Sequence, residues 1–339
     1  MIFKVKIFYN KIFCLTLHRY LTVKIKQRKN KMKIILVGAT GFIGKAMVNK
    51  LLENKHEVVV LARNTRSAEK QLPASAKISV WNPELEVLSK QLNIADVLIN
   101  LAGEPIADKR WTAERKKSIS ESRIGLTGTL VEALKKCSNP PKLFIQASAI
   151  GVYNSKSNAL YTETSEIKPT NFVTNLVHET EVTAMKAQAI VERVAIMRIG
   201  LVLGKNGGVL QSFLPSFRNF AGTWLGSGKQ AFPWIHLNDI CRIAIHIIEN
   251  EGSKGVYNAV APGNLNAKEF SKALAKVMKR PVWFGVPGFL LKLVFGELAQ
   301  EVLLTDIKPL PEALLKENFK FQFTEIEAAL NDILKTDKN

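Results

Sequence analysis

The chemistry-bearing residues begin with three spaced glycines, Gly38-Ala-Thr-Gly41-Phe-Ile-Gly44. Glycine admits backbone conformations and close approaches that a Cβ forbids, while a helix N-terminus offers unbonded N–H groups and the positive end of a dipole. A turn of this kind between strand and helix is suited to receive a phosphate. Here residues 33–37 read as the strand, 45–53 as the helix and 57–62 as a second apolar strand, a βαβ unit of dinucleotide-binding size. The spacing is G-x-x-G-x-x-G, one residue longer in its first gap than the familiar G-x-G-x-x-G. Gly38, Thr40, Gly41, Phe42, Ile43 and Gly44 are therefore expected at a pyrophosphate. Where the second strand ends, an acidic residue would bond the ribose 2′-hydroxyl, but this chain reads Ala62-Arg63-Asn64-Thr65-Arg66. An Arg there can meet a 2′-phosphate, so NADP is expected ahead of NAD, with Arg63 as its contact and Arg66 as a second candidate.

The elements that must hold these residues alternate. Further strands are expected at 77–81, 96–102, 142–147 and 194–199, and helices at 111–136, 175–188 and 237–248. This pattern predicts an α/β fold, a doubly wound parallel (Rossmann) sheet with a smaller C-terminal substrate or lid region, and ligands at the carboxyl ends of the strands. Residues 32–202 and 233–262 are assigned to the dinucleotide-binding domain. Residues 203–232 and 263–334 are assigned to the lid, where Arg218 and Lys229 could meet an anionic substrate. Segment 287–304 is strongly apolar but holds Lys292, Glu297 and Glu301, so it reads as a core or lid helix and not a membrane span. Residues 310–319 read as an amphipathic helix.

With these pieces in order, the chain resembles the extended short-chain dehydrogenase/reductase superfamily. The motifs are Gly38 to Gly44, Leu101-Ala-Gly103, Gly128-Thr-Leu130, Ser148, Arg198-Ile-Gly200 and Trp234-Ile-His-Leu-Asn-Asp239. More narrowly it is similar to an atypical, sugar-nucleotide-epimerase-like branch with a distinctive C-terminal domain. Asn100-Leu-Ala-Gly-Glu-Pro-Ile106, Arg110-Trp-Thr112, Ser122-Arg123, Gln146-Ala-Ser-Ala-Ile-Gly-Val-Tyr153 and Leu225-Gly-Ser-Gly-Lys-Gln230 carry that likeness. The resemblance implies that Leu101, Ala102 and Gly103 lie against the nicotinamide-side ribose, that Arg123 belongs to the cofactor site, and that Ser148 lies beside the nicotinamide.

Hydride transfer at a carbonyl needs a proton donor or acceptor at the oxygen, and this superfamily ordinarily uses Tyr-x-x-x-Lys on one helix. The only such spacing here, Tyr20 and Lys24, precedes the glycine turn. The helix that should carry the pair reads Phe172-Val-Thr-Asn-Leu-Val-His-Glu-Thr-Glu181, and the branch's usual Arg-Trp-Glu is here Glu179-Thr-Glu181. Tyr153, His178 and His236 are the substitute acids, against the plainer readings that Tyr153 packs behind its strand and that a lone histidine is structural. Asp239 reads as a cap or loop anchor before it reads as a base.

Composition bounds the rest. The 339 residues are 47% hydrophobic and 23% charged, ordinary for a globular protein. Cys14, Cys137 and Cys241 are three and far apart, so neither a disulfide framework nor a metal site is expected, and a cytoplasmic setting follows. The net charge is +19, but residues 1–31 hold nine Lys or Arg and no acid, leaving +10 on the other 308. That distribution, without an aromatic-basic motif, argues against a nucleic-acid partner. The extension 1–31 is expected to lie outside the fold, with Met32 as the working start, and no membrane partner is expected. The reading that emerges is an NADP-binding oxidoreductase or epimerase-like enzyme acting on a small metabolite. The missing dyad raises a non-catalytic NADP-binding protein, sensing redox state or binding a partner, as the alternative.

Overall fold

Five residues, Lys33–Val37, form the first strand, β1, because the run Ile-Ile-Leu-Val is β-branched or apolar and can be buried on both faces. The computed structural model describes residues 31–156, 159–263 and 265–335. Apart from Lys31, the basic extension lies outside the described residues. β2 (Glu57–Ala62), β3 (Lys77–Val80), β4 (Val97–Asn100), β5 (Leu143–Ala149), β6 (Arg193–Ile199) and β7 (Gly255–Ala259) complete one parallel sheet in the order β3-β2-β1-β4-β5-β6-β7. The expected doubly wound sheet is therefore present, with one strand more than the sequence reading located.

Both faces are covered by helices, as parallel strands require. On one face Ile35, Leu98, Phe144 and Ile196 from the sheet pack with Leu88, Leu92, Leu130, Leu134 and Ala184 from helices Leu85–Leu92, Leu126–Lys135 and Phe172–Met185. On the other, helix Phe42–Glu53 packs against helix Leu237–Glu249, burying Met47, Leu51, Ile240 and Ile247. A second core, around Phe213, Phe217, Phe232, Trp234, Phe270 and Leu330, belongs to the later segments.

Several expected elements differ in detail. The helix expected at 111–136 is two α-helices, Ala113–Ser120 and Leu126–Lys135, joined by a π-helical turn at Glu121–Gly125. The wider turn holds Ser122 and Arg123 beside the loop after β4. The stretch 287–304 breaks at Gly296, whose φ of +61° ends helix Gly288–Phe295 before a π-helical turn at Ala299–Leu303. The helix expected at 310–319 spans only Glu312–Lys316, since Pro311 precedes it and Asn318 turns left-handed at φ 58°. Among the described residues no helix is long and apolar enough to cross a membrane.

Candidate active site

The strand order reverses between β1 and β4, and a cleft of about 370 Å³ opens beyond their carboxyl ends. One wall is Gly38–Gly41, a second is Ala62, Arg63, Asn64 and Ser67, and a third is Leu101–Pro105 with Ser122 and Leu126. Gly38 has φ +84°, and a Cβ there would lie 2.6 Å from the Ala102 nitrogen, so only glycine lets the first and third walls meet. Helix Phe42–Glu53 starts at Gly41 with no side-chain cap, which leaves its first-turn N–H groups for a ligand. At the end of β2, Asn64 Oδ1 accepts from Ser67 N at 2.9 Å and caps the next helix. Arg63 and Arg66 are exposed, and neither makes an ion pair with any described residue.

The third wall is shaped by Asn100, which is buried at the end of β4. Its amide Nδ2 donates to Gln146 Oε1 at 2.9 Å and its Oδ1 accepts from Ala102 N at 3.1 Å, turning the chain back across the cleft. An uncapped helix N-terminus and a glycine turn together fit the pyrophosphate of a dinucleotide, and Arg63 stands in place of the β2 acid.

Not every residue expected at the cofactor lines this cleft. The Phe42 ring packs instead against Gly204, Gly207 and Gly208, and Ile43 and Gly44 are not among the lining residues. Arg123 lies against Gly103 and donates from Nη2 to the Glu104 carbonyl at 2.9 Å. Burial lowers its pKa, with the Glu104 charge opposing.

Ser148, outside the cleft lining, is half-buried at the end of β5. Its Oγ donates to Glu181 Oε1 at 2.5 Å. Glu181 is in turn gripped by Arg198 of β6, Nε to Oε1 at 2.9 Å and Nη2 to Oε2 at 2.7 Å. Both members of that pair are buried. Burial alone would lower Arg198, but hydrogen bonds and charge from Glu181 more than offset it and hold the guanidinium above its usual range. On the same helix Val173 and Val177 precede Glu181 at four-residue spacing and pack among Ile150, Val152 and Tyr153. An i, i+4 pair of apolar side chains thus faces the turn that follows Ser148.

The sequence-derived substitute acids are dispersed. Tyr153 is buried and accepts from Arg198 Nη1 at 2.8 Å, and its hydroxyl lies 2.8 Å from Asn258 Oδ1 and 3.0 Å from the Thr162 carbonyl. Burial pushes its phenol above the usual range, with Arg198 opposing. Tyr153 therefore shares Ser148's network without touching it. His178 is half-buried, one turn before Glu181. His236 caps helix Leu237–Glu249, its Nδ1 accepting from Asn238 N at 3.1 Å, stacks on Phe323, and lines a separate cavity with Cys241 and Asp332. Asp239 is fully buried and accepts from Gln322 N and Phe323 N, each at 2.9 Å, so it anchors that loop. Lys229 lines a larger cavity of about 700 Å³ in the later segments, and Arg218 lies outside it.

Glu181 was not singled out from sequence as a site residue. Its one signal was the match to the last position of the Arg-Trp-Glu stretch, and its partners lie 33 and 17 residues away in the chain.

Comparison with known proteins agrees with this architecture. Residues 34–259 match the NAD dependent epimerase/dehydratase family, and residues 286–333 match a domain of unknown function, DUF1731. The chain is 35% identical over 319 residues to the chloroplastic "Epimerase family protein SDR39U1 homolog" of Arabidopsis thaliana, covering 94% of this chain and 91% of that one. It is 32% identical over 303 residues to "Epimerase family protein YfhF" of Bacillus subtilis, covering 89% and 98%. The crystal structure of the human epimerase family protein SDR39U1 with NADPH superposes with a TM-score of 0.80 at 30% identity, covering 90% of this chain and 99% of that one.

Proposed function

We propose that this chain, which belongs to the NAD dependent epimerase/dehydratase family, is an NADP(H)-dependent enzyme that oxidises or reduces a small anionic metabolite at a carbon whose oxygen lies against Ser148. The nicotinamide, when bound, gives or takes the hydride. Gly38, Thr40 and Gly41 hold the pyrophosphate from the turn, and Arg63, with the Ser67 hydroxyl beside it, holds the 2′-phosphate. The human relative crystallised with NADPH supports this choice of cofactor.

The observation that carries the reading is the Ser148–Glu181–Arg198 chain. Because Ser148 Oγ directs its own proton to Glu181 Oε1, its lone pairs remain for an incoming hydroxyl. An alcohol proton passes to Ser148 Oγ as the serine proton passes to Glu181 Oε1, and the reverse movement delivers a proton to a carbonyl oxygen. Arg198 keeps the carboxylate oriented throughout. Lysines on the larger cavity favour an anionic substrate.

Ser148→Ala tests this reading: NADPH affinity should stay nearly intact while turnover is lost for any carbonyl compound found in a substrate screen. Val173 and Val177, apolar at the spacing of a Tyr-x-x-x-Lys pair, favour the second reading, a non-catalytic NADP-binding protein. A wild type that binds NADPH but turns over nothing across carbonyl and sugar-nucleotide compounds would support it.

A further inference from the structure

The cavity of about 700 Å³ is lined by Lys229, Lys292 and Lys308, with Asp306 its one acid. Asp306 Oδ1 accepts from Ala231 N at 2.9 Å, so it braces the 226–231 loop. Lys229 and Lys292 make no ion pair with any described residue. Two uncompensated ammonium groups on one cavity call for an anion. Leu304 and Phe289 add apolar surface beside these lysines. Leu304 sits against Gly226 and Gly288, and a Cβ at Gly226, where φ is +57°, would lie 2.7 Å from its Cδ2.

The rim is unlike ordinary surface. Helix Gly288–Phe295 contributes Phe289 and Lys292 to the cavity, and one turn beyond Phe289 stands Leu293. Phe289 is 70% exposed, Leu293 74% and Val294 60%. A monomeric protein rarely exposes such a stripe without a use for it. Residues 270–296 hold Lys272, Lys276, Lys279, Arg280 and Lys292 and no acid, and of these only Lys276 makes an ion pair with a described residue, Glu327, so the surroundings of the stripe are basic and suit an anion.

From the continuity of a lysine-lined cavity with an apolar stripe, we infer that the substrate class is an anionic amphiphile. Its phosphate or carboxylate head is held by Lys229 and Lys292, and its hydrocarbon chain lies along Phe289 and Leu293. This rests on the oxidoreductase reading above for its chemistry, but not for its binding.

Calorimetry on the full chain with saturating NADPH tests it, using decyl phosphate below its micelle concentration, with inorganic phosphate and decyl maltoside as controls. Decyl phosphate should bind at least about 30-fold more tightly than inorganic phosphate, as burial of a few methylenes provides. Lys292→Ala should weaken decyl phosphate about tenfold. Phe289→Ser with Leu293→Ser should remove most of the chain's advantage while leaving phosphate binding and melting temperature unchanged, since both side chains are exposed. Equal affinities for decyl phosphate and phosphate would overturn the inference, as would decyl maltoside binding as tightly as decyl phosphate. A dimer in sedimentation that the double serine variant abolishes would assign the stripe to a second copy instead. NADPH affinity, measured in the same series, reports separately on the proposed cofactor function.

Discussion

Ser148 on β5 and Glu181 on helix Phe172–Met185 are joined by a hydrogen bond of 2.5 Å, across 33 residues of sequence. The serine thereby contacts a carboxylate that Arg198 holds in a buried, two-pronged ion pair. In the proposed mechanism that arrangement supplies the proton path, on a helix with no tyrosine and no lysine at the dyad spacing.

Glu181→Gln separates positioning from binding. It leaves the Arg198 charge buried without its partner, which costs about 3 to 5 kcal/mol of folding stability, and it removes the acceptor for the Ser148 proton. Urea unfolding should show that loss, turnover should disappear, and NADPH affinity should change little. Glu181→Asp should recover part of the stability. Full turnover in the glutamine variant would remove Glu181 from the proton path.

Much of this was legible in sequence, and the exceptions have physical reasons. The glycine turn and strands β1 to β6 announce themselves through apolar β-branched runs. β7 was missed because Gly255–Ala259 places Tyr257 and Asn258 in mid-strand, polar-tipped residues that read as loop until Tyr257 is seen donating to Glu317 Oε1 at 2.7 Å and Asn258 donating to the Leu310 carbonyl at 2.9 Å. The glycine turn and the Leu101–Gly103 loop that wall the cleft followed from local motifs, whereas the Phe42 ring packs elsewhere because Gly204, Gly207 and Gly208, far later in the chain, leave it a place. Glu181 and Arg198 meet only through the tertiary fold.

Asp239 should prove a structural anchor. With Asp239→Ala, the buried backbone N–H of Phe323, the part-buried N–H of Gln322 and the guanidinium of Arg242 lose their acceptor. The expected destabilisation is about 3 to 5 kcal/mol, with a smaller loss for Asp239→Asn. Urea midpoints measure both, and a change under about 1 kcal/mol in the alanine variant would contradict the assignment.

His236 should make stability depend on pH. Burial holds it below the usual imidazole range, with Asp332 and Asp239 pulling the other way. On acidification the unfolded chain takes up a proton before the folded chain does. Its contribution is therefore intact above the ordinary imidazole pKa of about 6.5 and is lost as pH falls through that value toward the lower folded-state pKa. Melting temperatures should decline from about pH 7.5 to 5.5, and His236→Asn, which keeps a capping side chain, should flatten that decline. An unchanged slope in the variant would assign it to other groups.

Arg63 stands where an acid would select NAD, exposed on the cleft wall and without an ion-pair partner among the described residues. The most direct measurement is calorimetric titration of the full chain with NADPH and with NADH at one ionic strength. A charge-assisted phosphate contact is worth about 1.5 to 3 kcal/mol, so NADPH should bind about 10- to 150-fold more tightly, and Arg63→Ala should narrow that gap. Equal affinities for the two cofactors, or a gap that Arg63→Ala leaves untouched, would contradict the account at its centre.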